Sequence, residues 1–316
     1  MVEIGRLSPN KLESEECVVC LGFFDGVHLG HRRLIETGLE NARERGLPCC
    51  VYTFDVPPKN MSDGTVVTRE ITPLPIKMDI FEEMGVDRLY IDVFSDALRG
   101  LEPRAFIEEV LHRRLRARCV VAGFHYRFGR GASGDVDMLK RICLEFGIEV
   151  IDIGAALVDG EIVSSSRIRD LICDGDMKGV AALLGRPYYI KSQVLPGLQI
   201  GRQIQVPTIN QDFPPSSVIP AHGVYLTRTV VEGKPHFGIT NVGKRPTIGV
   251  FDDVKVETHI FGFSQDIYGH VIQVEFLDMI RPERKFSSIE GLKEQLAIDM
   301  ERAKGLSKAF EDGRGN

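Results

Sequence analysis

Two rhythms of apolar and polar positions divide the chain. From 17 to 184, short and nearly continuous apolar runs alternate with amphipathic stretches. The runs are CVVCLGF (17–23), CCVYTF (49–54), RLYIDVF (88–94), RCVVAGF (118–124) and IEVIDI (148–153). Between them come HRRLIETGLENARERG (31–46) and PRAFIEEVLHRRL (103–115), with apolar residues at helical spacing. Strands apolar on both faces and separated by helices predict a doubly wound α/β domain around a parallel sheet. After LLGRPYYIKSQV the period shortens. GVYLTRTVVEG, PHFGITNVG, VKVETHIFG and HVIQVEFLDMI approach strict alternation with Gly, Pro and Asp turns between them, and one helical pattern, SIEGLKEQLAIDMERAK, follows. This half predicts a small antiparallel β-barrel, or a sandwich, closed by a terminal helix. The break near Pro187 gives domains 1–186 and 187–316, in keeping with a length of 316 residues.

Charge and composition narrow the function classes. A net charge of -6 argues against a nucleic-acid backbone as the main partner, because such affinity comes largely from Lys and Arg. The basic run HRRLRAR (112–118) lies toward the end of a predicted helix, where cations complement the dipole, and reads as a solvated face. No apolar segment approaches the ~20 residues that span a bilayer, and the N-terminus lacks a signal-peptide core. The expectation is a cytoplasmic protein without a membrane, nucleic-acid or obligate protein partner. All seven cysteines lie in the first 173 residues. Cys17 and Cys20 form a CxxC on a strand, where an odd separation sends the thiols to opposite faces, so reduced core residues are expected rather than a metal or redox pair.

Candidate chemistry starts at GFFDGVHLGH (22–31). A strand ending at Leu21, a glycine turn and a helix beginning near Leu29 place this loop at the carboxyl edge of the sheet, where α/β proteins bind ligands. Unpaired amides at the helix start attract anions, His28 and His31 add directional donors, Gly26 and Gly30 allow close approach, and Asp25 orders the turn. A zinc pair lacks a third ligand nearby. In SSSRIR (164–169), Ser164, Ser165 and Ser166 are N-cap candidates, with Arg169 one turn in. Gly129, Gly131 and Gly134 spell GxGxxG, but the preceding strand stops near Gly123, too early for the tight dinucleotide-binding turn. In the second half, Thr208 and Asn210 sit two apart on an extended segment stiffened by Pro207. They offer hard oxygens of the kind that suit a nucleotide-borne Mg²⁺. No GxxxxGK[ST] motif is present.

The first of these blocks resembles the HxGH signature of the nucleotidyltransferase superfamily, in the form found in bacterial FMN adenylyltransferases. TFDVPP (53–58), VVAGFHYRFG (120–129) and VSSSRIRDLICDGD (163–176) extend the resemblance. GRQIQVPTIN (201–210), NVGKRPTIG (241–249) and VETHIFGFSQDIYGHVIQVEFLDMIRPERKF (256–286) are similar to riboflavin kinase blocks. Together they cover nearly the whole chain in the order found in the bifunctional riboflavin kinase/FAD synthetase family. The resemblance implies two reactions: ATP-dependent phosphorylation of riboflavin by the C-terminal half, and adenylylation of FMN to FAD, releasing pyrophosphate, by the N-terminal half. It implies Glu257 as the general base of the first, and His28, His31 and Arg169 as catalytic groups of the second. Substrate contacts would come from Gly22, Phe23, Asp25, Gly26, Gly30, Phe54, His125, Ser164, Ser165, Ser166, Gly201, Arg202, Pro207 and Asn241, with Mg²⁺ near Thr208 and Asn210.

Some positions depart from the family pattern. Val56 and Pro57 stand where proline and histidine are usual, His125 replaces an acidic or amide residue, and Gln205 and Val206 replace a glycine and an aromatic. Two alternatives therefore stay open: a monofunctional enzyme with one degenerate half, and a flavin or nucleotide sensor without turnover.

Overall fold

The computed structural model describes residues 3–6, 15–58, 68–197, 206–244 and 254–311. The chain forms two compact units, 1–165 and 166–316.

In the first unit the strands are β1 (Glu3–Arg6), β2 (Cys17–Leu21), β3 (Cys49–Phe54), β4 (Arg88–Asp92), β5 (Ala117–Gly123) and β6 (Glu149–Ile153). They build one sheet in the order β1-β4-β3-β2-β5-β6, and every pair is parallel. Five of the six are the apolar runs expected from the sequence. The sixth, β1, is a short edge strand. Helix α1 (Leu29–Arg45) packs on β2, β3 and β5 from one side. The segment Pro103–Phe106 continues into wider π-type turns over Ile107–Arg114 and covers the other side, burying Phe106, Ile107, Val110 and Leu111 against Cys17, Val19 and Leu21. Both faces of β2 are thus closed, which accounts for its unbroken burial.

The Cys17 and Cys20 thiols take opposite faces, donating to the carbonyls of Leu115 and Leu34. Close seating of α1 depends on Gly38, where a methyl group would overlap the Cys20 sulfur. The basic run meets carboxylates: Arg113 pairs with Glu108, Arg114 with Asp92 and Arg118 with Glu16. The strand order reverses around β2, whose neighbours are β3 and β5, so the loops after β2 and β5 flank a topological switch point.

The helix Ser165–Asp174 runs from the last residue of the first unit into the second, followed by the helix Met177–Leu184. Beyond them the strands are β9 (Tyr188–Gln193), β10 (Ile209–Asp212), β11 (Gly223–Val231), β12 (Lys234–Lys244), β13 (Val254–Ile260) and β14 (Val271–Pro282). β7 (Leu157–Val158) and β8 (Glu161–Ile162) form a separate two-stranded ribbon in the first unit. The second sheet is antiparallel throughout, in the order β10-β13-β12-β11-β14-β9. Its two edges approach through a bridge between Leu195 and Asn210 and through Gln211 Nε2, which donates to the Ser192 carbonyl at 2.8 Å, so the barrel is nearly closed.

Its interior is partly polar. The hydroxyls of Thr227, Thr240 and Thr258 form a buried chain with 2.8 Å spacings. Satisfying one another in this way removes the cost of burying them. The terminal helix Ile289–Glu311 packs its Leu296, Met300, Ala303 and Leu306 on Val224, Leu226 and Ile239 of the outer face.

Candidate active sites

The turn after β2 carries backbone strain and is held by two tethers. Phe24 and Val27 are left-handed (φ 57° and 42°) without being glycine, whereas Gly26 (φ 88°) adopts the same region without steric cost. The Asp25 carboxylate accepts from the amides of Ile71 and Thr72 at 2.9 and 3.2 Å, and its carbonyl accepts from Ser165 Oγ at 2.9 Å. Asp25 is buried and serves the turn as a tie.

His28 then caps α1. Its Nδ1 accepts from the His31 amide at 3.4 Å, which puts the ring proton on Nε2. The two imidazoles stack, with centroids 3.7 Å apart and planes at 15°. Burial holds His28 down to about 4. Burial, then the neighbouring His28 and Lys77, lowers His31 well below the usual imidazole range. Both rings are therefore neutral near pH 7, each a single N–H donor beside the unpaired amides of the helix start.

These groups open onto a cavity of about 310 Å³ at the switch point. Gly22, Phe23, His28, Gly30, His31, His125, Ser164 and Ser165 line it, together with Gly123, Phe124 and the stretch 153–156 after β6. Eight of the residues singled out from the sequence thus share one wall system. Gly26 is buried within the turn and is not among the lining residues. Phe54 stands apart, packed edge-on to Tyr52 and Phe94. Val56 and Pro57, two of the departures from the family pattern, are not among the lining residues either, while the third, His125, is. Ser166 and Arg169 follow on the helix Ser165–Asp174, within the second unit.

In the second unit the register across three adjacent strands is the informative feature. Glu257 on β13 is the direct partner of Asn210 on β10 and of Asn241 on β12. Directly opposed residues of an antiparallel sheet point to the same face, so carboxylate and amides form one row. The alternation of β13 puts Glu257 on the solvent side, which explains a carboxylate in a half-apolar strand without any buried charge. Two residues along β13, on that same face, His259 Nδ1 bonds the Pro207 carbonyl at 2.8 Å and anchors the segment carrying Thr208. Pro207 and Thr208 line a cavity of about 260 Å³ together with Thr258, Ile260 and residues 263–268. Gly201 and Arg202, and the departure at Gln205, lie outside the described residues.

The family profile for FAD synthetase matches residues 10–167, and that for riboflavin kinase matches residues 184–307. The bifunctional riboflavin kinase/FMN adenylyltransferase of Bacillus subtilis strain 168 is 34% identical over 297 residues, covering 93% of both chains. The chain belongs to the bifunctional riboflavin kinase/FMN adenylyltransferase family. The Escherichia coli K12 protein of the same name is 33% identical over 298 residues, covering 93% of this chain and 95% of its own. A solved structure described as a macrolide-efflux protein from Streptococcus pneumoniae superposes with a TM-score of 0.87 at 31% identity, covering 96% of this chain and 99% of that one. Among the described residues no helix is long and apolar enough to cross a membrane.

As a riboflavin kinase/FMN adenylyltransferase the chain is a transferase of flavin biosynthesis that uses ATP. Two residues that support these sites were not singled out by sequence reasoning. His259 was legible in principle, being two positions from Glu257 on an alternating strand. Lys77 was not: it sits on α2 (Leu74–Glu83), whose buried face it shares with Ile76, Ile80 and Phe81.

Proposed function

We propose that the C-terminal unit transfers the γ-phosphoryl group of ATP to the riboflavin 5′-hydroxyl, and that the N-terminal unit transfers the adenylyl group of a second ATP to FMN. The reading is carried by one observation: each unit presents its own open cluster, and each cluster has the chemistry that one step needs.

An alcohol must lose a proton as it attacks phosphorus, and Glu257, open to solvent between two amides, is the base that takes it. Asn210 and Thr208 supply an amide oxygen and a hydroxyl, hard donors in keeping with a Mg²⁺ that keeps waters and nucleotide phosphates as its other ligands. Among the described residues no group of three or more His, Cys, Asp or Glu forms a dedicated metal cage, which suits an ion that arrives with its nucleotide. Bound there, Mg²⁺ would neutralise charge on the transferring phosphates.

The FMN phosphate is ionised already and needs no base. Its oxygen bonds to the α-phosphorus of ATP as the bond to pyrophosphate breaks. Charge building on the equatorial oxygens is met by the neutral N–H donors of His28 and His31, the first amides of α1 and the hydroxyl of Ser164, while the Ser165 hydroxyl holds the turn through the Asp25 carbonyl. Reduced thiols and ATP as substrate agree with a cytoplasmic setting.

The deciding experiment incubates the protein with ATP, Mg²⁺ and riboflavin, and separately with FMN, resolving products by chromatography. FMN then FAD is expected. FMN alone would mark a degenerate N-terminal half, FAD only from added FMN a degenerate C-terminal half, and neither product a sensor.

A further inference from the structure

One buried cation lies behind the first site with no chemical role assigned above. The Lys77 side chain is 1% exposed, and its Nζ is 3.2 Å from Glu70 Oε2. The same Nζ donates to the Phe23 carbonyl at 3.3 Å and sits 3.7 Å from the centre of the Phe23 ring. A buried ion pair gives little net stability, since apolar residues of the same volume often do as well. The pair therefore calls for another explanation, and its neighbours supply one.

The Phe23 carbonyl takes a second donor, Thr53 Oγ1, at 3.2 Å. The next residue is the left-handed Phe24, whose ring meets His31 edge-on at 5.3 Å and Phe81 of α2 at 5.8 Å. On the far side, Asp25 binds the amides of Ile71 and Thr72, directly after Glu70. Residues 70–77 thus grip the chain on both sides of a strained residue whose ring backs the imidazole.

We infer that Lys77 is a positioning residue for adenylyl transfer: through the Phe23 carbonyl it holds Phe24 in its left-handed conformation, and through the Phe24 ring it holds His31 in the stacked pair that faces the cavity. This rests on the adenylyltransferase reading above. Lys77 is not among the cavity-lining residues, so its effect passes through residues that are. Displacement of a reacting group by about 1 Å can cost on the order of a hundredfold in rate, so a positioning fault of this kind is large enough to read.

The test uses the full chain. With FMN and ATP, Lys77→Met is expected to lower kcat for FAD formation by about tenfold to a hundredfold, with both KM values within about twofold of wild type. Riboflavin phosphorylation stays unchanged. Thr53→Val gives a smaller fall in kcat. The double variant loses less than the product of the two single losses, because both donors act on one carbonyl.

Wild-type kcat in Lys77→Met, a loss confined to KM, or single losses that multiply would each overturn the role. If Lys77→Met does not fold, Lys77→Arg replaces it in the same cycle with Thr53→Val. A wild-type chain that makes no FAD from FMN sinks the adenylyltransferase reading itself, whereas wild-type turnover with an unimpaired Lys77→Met sinks only the positioning role.

Discussion

At the scale of single residues, the imidazole pair is uncharged by design of its surroundings, and this ties stability to pH. His28 is held at about 4 against an ordinary 6.5, so between those values the unfolded chain binds a proton that the folded chain refuses. The stabilising contribution is complete above pH 6.5 and is lost as pH falls toward 4, by up to about 3 kcal/mol for this group. His31 is shifted in the same direction. Urea titrations at pH 7 and pH 5 should show the drop, and His28→Asn should flatten it. An equal slope in the variant would contradict the assignment.

The histidines drew notice because they follow a strand edge that the pattern located, whereas Glu257 was singled out through the resemblance to riboflavin kinase blocks. Lys77 was not, because its helix was itself missed and a lone lysine reads as a solvated cation; only the fold reveals that α2 turns it toward Phe23. For Asp25 the sequence suggested both a turn tie and a ligand contact. The bonds to Ile71 and Thr72 depend on residues 46 and 47 positions away, a separation that no local pattern conveys.

Among elements, the docking of α1 on the sheet has one tight point. Replacing Gly38 by Ala would force its methyl into the Cys20 sulfur, and overpacking of this kind costs about 1–3 kcal/mol. Gly38→Ala should therefore lower the thermal midpoint of the first unit, and adding Cys20→Ala should recover most of the loss, as calorimetry would show. No recovery would mean that the clash is not with Cys20. The four central strands β2–β5 were readable as continuous apolar runs, since burial on both faces leaves that signature, and β6, at the sheet edge and largely open, was readable from its three apolar positions. The strand Glu3–Arg6 was not, because a four-residue edge strand with two charged residues has no period to detect and exists through pairing with β4. Helix α2 was missed for a related reason: prolines at positions 73 and 75 suggest a turn, although proline suits the first turn of a helix.

For the whole molecule, two sites on two units predict separable activities. His31→Ala should cut FAD formation by about 100- to 1,000-fold while FMN formation continues. Glu257→Gln should lower FMN formation by about 100- to 10,000-fold and leave FAD formation from added FMN intact. An equimolar mixture of the two variants should then carry riboflavin through to FAD, because FMN released by one chain is a substrate for the other. A mixture that accumulates only FMN would point to transfer confined within one chain.

The thiols extend this reach to the molecule's opening and closing. Six of the seven cysteines are buried, and only Cys173 is exposed. The Cys49 thiol and burial raise Cys20, while burial pushes Cys119 up to about 11 and Cys143 to about 12, so these sulfurs are both hidden and poor nucleophiles. An alkylating reagent should therefore mark the native protein once and the denatured protein seven times. Intact-mass spectra taken over time would then count opening events in the N-terminal unit without any added label, a clock already wired into its sheet.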